Sequence, residues 1–154
     1  MRLVVAVVGR ARNQALGDAI RDYETRAGRY WPLEVHEVRE ERGGSSPESR
    51  VRAREGARLA EKIPGRARTV ACELGGKALD SRQFADMLRS ARDQDRDLAF
   101  LIGGAHGLDA ELAGGSQMRL SLAPWTLPHE LARLVLAEQI YRAGTIVRGE
   151  PYHK

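Results

Sequence analysis

The chain has 154 residues, of which 42% are hydrophobic and 30% are charged. That length accommodates one compact domain, and the apolar fraction excludes a disordered chain, which cannot bury enough apolar surface to offset the entropy of ordering. The 25 basic and 21 acidic residues give a net charge of +4, which by itself only slightly favours polyanionic partners.

Short apolar runs and a single cysteine indicate where the protein works. The longest strongly apolar runs, Leu3–Val8 and Leu98–Ile102, fall far short of the roughly 20 residues that a membrane-spanning helix needs. We expect no secretory signal, because Arg2 is followed at once by a short strand-like segment. Cys72 has no second cysteine to pair with, as is typical of the reducing cytoplasm. We therefore expect a cytoplasmic protein that does not associate with membranes.

Apolar periodicity and turn residues divide the chain into alternating strands and helices. Continuous apolar runs are typical of strands buried on both faces, and apolar residues three and four apart predict helices. In chain order the predicted elements are a strand at Leu3–Val8, a helix at Gln14–Ala27, a strand at Leu33–Val38, a helix at Glu48–Ile63, a strand at Thr69–Leu74, a helix from Asp80 or Ser81 to about Ala91, a strand at Leu98–Ile102, one helical turn at Asp109–Ala113, a strand at Met118–Leu122 and a helix at His129–Ile146. This alternation predicts a single α/β domain over residues 1–154, with a mainly parallel sheet flanked by helices.

The segments that follow the strands are the candidate ligand site, because open α/β sheets bind ligands beyond the carboxyl ends of their strands. Three turns qualify, at Leu74–Lys77, Gly103–Leu108 and Leu122–Pro128. The last helix is apolar over more than one face, so we expect it to be buried on two sides, in part by another copy of the chain.

Several common chemistries are excluded by missing motifs. The chain has no GxxxxGK[ST] phosphate loop and no GxGxxG after its first strand, which disfavours a nucleotide hydrolase and a dinucleotide-binding enzyme. Its four histidines and Cys72 lack the spacing of a metal site, so we expect no metal. His36 and Cys72 lie within predicted strands, where packing is the simpler role.

Two of the candidate turns suit a neutral heteroaromatic ring. The strand that ends at Ile102 continues into Gly103-Gly104, where the backbone can approach a ligand without an intervening Cβ. On its own such a turn also occurs in α/β proteins that bind nothing there. The loop Ser121–His129 is apolar and is constrained by two prolines, so it offers apolar walls and backbone polar groups rather than a phosphate site.

A basic helix and the C-terminal tail are the remaining candidates. Residues 39–68 contain nine basic and five acidic residues, an excess equal to that of the whole chain, and four basic residues are spaced by four, namely Arg50, Arg54, Arg58 and Lys62. Such a row on one helix face fits RNA phosphates, although a solvated surface fits it too. The tail Arg148–Lys154 combines an aromatic ring, a titratable imidazole and two cations, which would serve a reaction on a nucleobase if the tail does not fray.

At these residues the sequence resembles a known family. The order and spacing of Leu101-Ile102-Gly103-Gly104, Thr126-Leu127-Pro128-His129, Glu138–Ala143 and Arg148–Lys154 are similar to the RlmH family, which are small bacterial ribosomal RNA large-subunit methyltransferases of the SPOUT superfamily. The resemblance runs the full length and is most specific in about the last fifty residues. It implies a parallel α/β sheet whose C-terminal part forms a deep trefoil knot, a feature that periodicity cannot reveal.

The resemblance also implies the activity. It implies a homodimer that uses S-adenosylmethionine to methylate N3 of a pseudouridine in 23S rRNA, on assembled ribosomes. Carried over by position, the donor pocket would use eight residues, namely Cys72, Gly103, Leu122, Ala123, Pro124, Trp125, Thr126 and Leu127. The chain departs from the family at Cys72, where leucine is common, and Ala105-His106 fills a variable pair, so no role is expected for His106.

The tail supplies the expected catalytic residues. The N3 of pseudouridine must lose a proton before it attacks the methyl carbon in line, so the protein must align the reactants and favour the anion. His153 is the candidate base or proton relay, because histidine exchanges protons near neutral pH. We expect Tyr152 to stack on or hydrogen-bond the base, Arg142 or Arg148 to stabilise the developing charge, and the basic row with Arg148 to contact RNA. The alternative is a ribosome-binding or RNA-binding protein of the same fold that has lost catalysis.

Overall fold

The computed structural model describes all residues from Met1 to Lys154. The elements in chain order are β1 (Leu3–Val8), α1 (Gln14–Ala27), β2 (Leu33–Val38), α2 (Glu48–Ala60), β3 (Arg68–Ala78), α3 (Ser81–Asp93), β4 (Leu98–Ile102), α4 (Ala110–Gly115), β5 (Met118–Ser121) and α5 (His129–Arg148). The strands form one sheet in the order β2-β1-β4-β3-β5, and every neighbouring pair is parallel. The predicted α/β class with a parallel sheet flanked by helices is confirmed, and the trefoil knot stays a prediction.

Both faces of the sheet are covered, which explains the continuous apolar run of β1. Leu3, Val5 and Val7 belong to the larger core cluster of 17 buried residues, to which α1, α3 and α5 contribute. Ala6 and Val8 point to the other face, where they pack with Leu59 of α2 and other residues. Because successive side chains of a strand alternate between faces, a strand covered on both sides has no polar positions.

The helix α5 packs against α1, α3 and the sheet, as its apolar circumference predicts. Leu136 and Ile140 are fully buried, and the indole Nε1 of Trp31 donates to the Ile140 carbonyl at 3.0 Å. Burial by a second copy stays a prediction. No helix of the structure has the length and hydropathy that crossing a membrane requires.

Local signals set the helix ends. The side chain of Asn13 accepts from the Leu16 amide at 3.0 Å at the start of α1. Asp80 and Gln83 form a reciprocal capping box that begins α3. Of the two predicted candidates, Asp80 and Ser81, the N-cap is therefore Asp80. At the other end of the chain, α5 is terminated by Gly149 in the left-handed conformation.

The third strand differs from its prediction. We expected Gly75-Gly76 to turn out of it, but β3 continues to Ala78. Cys72 and Lys77 both pair with Leu120, so the residues between them form a bulge. A Cβ on Gly76 would lie 2.5 Å from the carbonyl carbon of Leu120. Gly76 therefore permits close backbone contact between β3 and β5, and the pair Gly75-Gly76 does not reverse the chain.

The basic helix is shorter than predicted. It ends at Ala60, with Glu61 as its C-cap, and the Lys62 amide donates to the Leu59 carbonyl in the turn beyond it. The residue before a proline is disfavoured in helical conformation, so Pro64 terminates the helix earlier than the apolar pattern indicates. The prediction that Lys62 continues the row of Arg50, Arg54 and Arg58 on one helical face is therefore wrong.

Candidate functional site

An apolar cavity of about 590 Å³ opens at the carboxyl edge of the sheet. The ends of β4 and β5 surround it, together with the middle of β3, where the bulge begins, and the start of α5. Its lining includes Cys72, Glu73, Leu74, Ile102, Gly103, Gly104, Ala105, Gly107, Leu108, Leu122, Ala123, Trp125, Thr126, Leu127, Pro128, His129 and Ala132. The volume lies within the range of pockets that hold small ligands and cofactors.

The glycine turn after β4 forms one wall of the cavity with its backbone. The Gly107 amide donates to the Gly104 carbonyl at 3.0 Å, which closes the turn on itself. A Cβ on Gly103 would lie 2.6 Å from the Gly107 carbonyl oxygen and 2.6 Å from the Leu108 nitrogen. Any side chain at position 103 would therefore push the turn apart and deform the cavity wall.

The opposite wall is the loop between β5 and α5. The Ser121 hydroxyl donates to the Ala123 carbonyl at 2.7 Å, and Pro128 precedes the first residue of α5, so both ends of the loop are fixed. The exposed large hydrophobic residues of the chain are Leu74 and Trp125, at 54% and 63% exposure, and both line this cavity. An apolar rim of this kind indicates a binding site for a ring system or a partner surface.

Cys72 lines the cavity with an unreactive thiol. Burial raises the pKa of its thiol to about 12, so the side chain is neutral at physiological pH. A thiol in this state is a poor nucleophile. The interpretation of Cys72 as a small hydrophobic residue agrees with this environment.

His129 is a cavity residue that we did not predict as functional. Its Nε2 atom is buried without a hydrogen-bond partner and lies 3.9 Å from a carboxylate oxygen of Glu40. The signal was present in the sequence, because His129 follows Pro128 at the first position of a helix that begins at the cavity.

Most of the predicted donor-binding residues are brought together. Seven of the eight line the cavity, namely Cys72, Gly103, Leu122, Ala123, Trp125, Thr126 and Leu127. Pro124 lies in the same loop but is not part of the lining. The structure contains no group of three or more side chains that could hold a metal ion.

The predicted catalytic residues form a second cluster, organised by Glu138. One oxygen of this carboxylate accepts from Arg142, from Nε at 3.0 Å and from Nη2 at 2.6 Å, and also from the Tyr152 hydroxyl at 3.1 Å. The Nη1 atom of Arg142 lies 3.4 Å from Nδ1 of His153. Because arginine can only donate, Nδ1 of His153 is the acceptor in this contact. Sequence reasoning missed Glu138, although its spacing from Arg142 is that of a helical ion pair.

Aromatic packing holds the tail in place. The Tyr152 ring lies edge-on to Tyr141, with centroids 4.7 Å apart, and the Arg142 guanidinium lies 4.7 Å from its centroid. Burial, followed by hydrogen bonds to Tyr23 and Glu138, raises the pKa of Tyr152 well above its usual value. Tyr152 is therefore a hydrogen-bond donor rather than a base at physiological pH.

The two clusters do not meet within one chain. None of Arg142, Tyr152 and His153 lines the cavity. The cavity reaches α5 as far as Ala132, and at 1.5 Å per residue the axial distance from there to Arg142 is about 15 Å. One copy thus holds an apolar cavity and, separately, a polar tail cluster.

The predicted RNA-contacting residues differ in their surroundings. Arg54 Nη1 lies 2.7 Å from a Glu41 oxygen, and Arg58 binds the other oxygen of the same carboxylate. Arg50 and Lys62 are exposed and have no such partner. Arg148 lies over the Tyr30 ring, 4.6 Å from its centroid, and donates to the carbonyl of Arg29.

The chain is similar to known proteins over its full length. A family model described as "Predicted SPOUT methyltransferase" matches residues 1–153. Ribosomal RNA large subunit methyltransferase H of Gemmatimonas aurantiaca is 56% identical over 154 residues and covers all of both chains. The protein of the same name from Syntrophotalea carbinolica is 39% identical and covers 99% of each chain.

Solved structures share the fold at low sequence identity. A probable methylase family protein from Haemophilus influenzae superposes with a TM-score of 0.60 at 13% identity, covering 99% of this chain and 70% of that one. A probable methyltransferase from Bordetella pertussis gives 0.57 at 15% identity, covering 92% and 95%.

The fold and the full-length matches define a SPOUT methyltransferase. Within that class, the chain belongs to the family of ribosomal RNA large subunit methyltransferase H. The predicted resemblance and the prediction of an enzyme are confirmed.

Proposed function

We propose that this protein transfers a methyl group from S-adenosylmethionine to N3 of a pseudouridine in 23S rRNA, on assembled ribosomes in the cytoplasm. The observation that carries the proposal is the apolar cavity at the carboxyl edge, which gathers the residues expected to hold the methyl donor. The names of the relatives support ribosomal RNA as the substrate.

The cavity fits an adenosyl group. Its walls are mostly apolar, and the turn at Gly103 presents bare backbone where a Cβ would intrude. Apolar walls with backbone donors and acceptors suit a neutral purine. When bound, S-adenosylmethionine supplies an electrophilic methyl group on its sulfonium sulfur. The loop Leu122–Leu127 and the turn at Gly103 would hold that group in one orientation and exclude water from it.

The tail cluster suits the acceptor. The imide N3 must be deprotonated, and the negative charge that develops spreads onto the neighbouring carbonyl oxygens. Arg142, held by Glu138, supplies a fixed positive charge for those oxygens. Tyr152 supplies a hydroxyl donor and an aromatic face, and His153 is the group that can take up the N3 proton.

A second copy of the chain brings the two clusters together in this proposal. The tail cannot reach the cavity of its own chain without leaving the Tyr141 and Glu138 contacts. The exposed apolar rim of Leu74 and Trp125 provides a surface that a second copy can cover. We therefore propose a homodimer in which the tail of one copy completes the cavity of the other.

The test is methyl transfer to ribosomes. Purified protein is incubated with the methyl donor and with ribosomes that lack the modification, and digested rRNA is analysed by mass spectrometry. The proposal predicts one methyl group per ribosome on a pseudouridine, with N3 identified by fragmentation. A chain truncated after Glu150 is expected to bind the donor but to transfer no methyl group.

Three outcomes would contradict the proposal in whole or in part. Donor binding with no modification by the full-length chain would support the alternative, a binding protein of the same fold. Full activity of the truncated chain would remove Tyr152 and His153 from the mechanism. Equal activity on protein-free rRNA would retain the enzyme but remove the preference for assembled ribosomes.

A further inference from the structure

A second opening, a charged cleft of about 1030 Å³, lies beside the proposed donor cavity. It is formed at the carboxyl ends of β1 and β2 and is lined by Gly9, Arg10, Arg12 and residues 37–42. The cleft and the cavity adjoin, because Glu40 of the cleft lies 3.9 Å from His129 of the cavity. In addition, the Arg12 amide donates to Glu130 at 3.0 Å, next to His129 at the start of α5.

The cleft contains four arginines and three glutamates, but the ion pairs leave it strongly basic. Each glutamate is already paired: Glu37 with Arg133 at 2.6 Å, Glu40 with Arg12 at 2.5 Å and Glu41 with Arg54 and Arg58. The arginines that have no carboxylate partner are all exposed, namely Arg10, Arg39 and Arg42. The cleft therefore presents three free guanidinium groups to solvent.

The basic helix α2 braces the segment that carries two of these arginines. Arg54 and Arg58 both bind Glu41, and Arg58 also donates to the Arg39 carbonyl at 2.8 Å. The buried carboxylate of Glu55 accepts from the Glu41 amide at 2.9 Å. Arg54 and Arg58 are thus engaged within the chain, and their effect is to fix the backbone from which Arg39 and Arg42 project.

We propose that this cleft binds the phosphate backbone of the RNA substrate through Arg10, Arg39 and Arg42. The inference rests on the proposed function. Arginine is suited to this role because its planar fork binds phosphate oxygens in a bidentate manner. A strand of RNA held here lies directly beside the cavity, so a nucleotide next to the bound phosphates can reach the mouth of the cavity, where the proposed donor would present its methyl group. The backbone contacts would position the RNA without reading its sequence.

The opposite edge of the sheet supplies a matched control. A cleft of about 970 Å³ at the amino ends of the strands also displays three exposed arginines without a carboxylate partner, Arg66, Arg68 and Arg96. A strand of five or six residues spans about 16 to 20 Å, so these arginines lie a full strand length from the cavity. A merely electrostatic attraction to RNA would use both clefts, whereas substrate binding would use the one beside the cavity.

The experiment compares salt dependence for two triple variants. In the first, Arg10, Arg39 and Arg42 are each replaced by glutamine, which keeps the Arg39 carbonyl that Arg58 contacts. In the second, Arg66, Arg68 and Arg96 are replaced in the same way. Binding to purified ribosomes and to protein-free 23S rRNA is measured over a salt series, donor uptake is measured by calorimetry, and the KM for ribosomes is measured with kcat.

We expect the first variant to bind ribosomes and protein-free rRNA about tenfold more weakly, and the slope of log K against log salt to flatten by about 2. The KM for ribosomes rises by a similar factor, while donor uptake and kcat stay unchanged. Replacement of the same three arginines by lysine should retain the slope, because the charges remain. The control variant is expected to stay within about twofold of the wild type.

An unchanged slope in the first variant would overturn the inference, as would an equal loss in the control variant. Weakened binding to ribosomes with unchanged binding to protein-free rRNA would also overturn it, because the partner would then be a ribosomal protein. If the triple variant fails to fold, as judged by its circular dichroism, R42Q alone should flatten the slope by about 0.7. A wild-type protein that transfers no methyl group but shows the salt effect would refute the proposed function and leave the cleft assignment standing.

Discussion

Glu138 shows how one carboxylate can hold the C-terminal tail against the last helix. It lies within α5, ten residues before the tail begins at Arg148, yet it binds both Arg142 and Tyr152. The ion pair also raises the pKa of Arg142, chiefly through the hydrogen bond to Glu138. The guanidinium is therefore permanently charged and held in one orientation, which is what stabilisation of a developing anion requires.

Replacement of Glu138 tests this positioning role. We expect E138Q to lower kcat for methyl transfer by about tenfold or more, because Arg142 and Tyr152 lose their shared anchor, while donor uptake stays unchanged. The pKa of Tyr152 should fall but stay above its ordinary value, since burial and Tyr23 still raise it while the carboxylate that accepts its hydrogen bond is lost, and ultraviolet titration of the tyrosines measures this shift.

The matched control for that experiment is E111Q, an exposed glutamate on α4 that has no ion pair. It should leave both kcat and the tyrosine titration unchanged. If E138Q retains wild-type kcat, Glu138 has only a structural role. A parallel loss of donor uptake would show that the effect is unfolding rather than positioning.

At the scale of elements, side chains of the basic helix α2 hold the segment after β2 in place. Hydrogen bonds from Arg54 and then Arg58 lower the pKa of Glu41 below its ordinary value of 4.5. A group whose pKa is lower in the folded state stabilises the fold above its unfolded pKa, and that contribution is lost as the pH falls through the folded pKa.

This linkage predicts a pH-dependent stability difference. The E41Q variant should melt about 1 to 3 °C below the wild type at pH 7, and the difference should shrink and vanish as the pH is lowered below 4.5. Thermal unfolding followed by circular dichroism at several pH values measures it. The control E61Q, an exposed C-cap residue of the same helix, should show no such trend. A difference for E41Q that persists to low pH would contradict the assignment to the ion pairs.

Most elements could be predicted because their signals are local. The apolar runs of β1 and β4 and the capping residues of α1 and α3 depend on neighbouring residues, and the structure reproduces them. The bulge at Gly75-Gly76 could not be predicted, since it depends on the pairing of β3 with β5, more than 40 residues away. The pairing of Arg54 and Arg58 with Glu41 was equally hidden, because a charge pattern on one helix does not show what the preceding loop brings to it.

The candidate site, like the fold, was predictable only in part. The cavity-lining loop was located because ligands bind beyond the carboxyl ends of parallel strands, a rule that needs only the prediction of a parallel sheet and of where its strands end. The roles of Cys72 and Trp125 at the cavity followed from family resemblance, not from periodicity. The spacing of Glu138 from Arg142 signals an ion pair, but the contact of Glu138 with Tyr152 and that of His129 with Glu40 depend on the folded chain, so neither residue was predicted as functional.

At the scale of the whole molecule, the proposed homodimer builds each site from the cavity of one copy and the tail of the other. This predicts complementation between two inactive variants. A chain carrying G103A has a blocked cavity and an intact tail, and a chain truncated after Glu150 has the reverse. Neither should be active alone. After mixing, unfolding and refolding together, half of the dimers are mixed and one of their two sites is complete, so we expect about a quarter of the wild-type activity.

The truncated chain mixed with itself is the control for the refolding step. Recovery of activity only in the mixture supports a site shared between copies. If the mixture stays inactive while each chain forms dimers, each site is built from a single chain, and the tail must move to its own cavity.

Calorimetry measures whether the cavity at the carboxyl edge binds the methyl donor, as we propose. S-adenosylmethionine and its demethylated product are titrated into the wild type, into G103A and into G114A, whose added Cβ meets nothing within 4 Å. We predict saturable binding by the wild type and by G114A, and binding weakened at least tenfold in G103A, because the new Cβ would displace Gly107 and Leu108. Absence of binding to the wild type, or undiminished binding to folded G103A, would contradict the account.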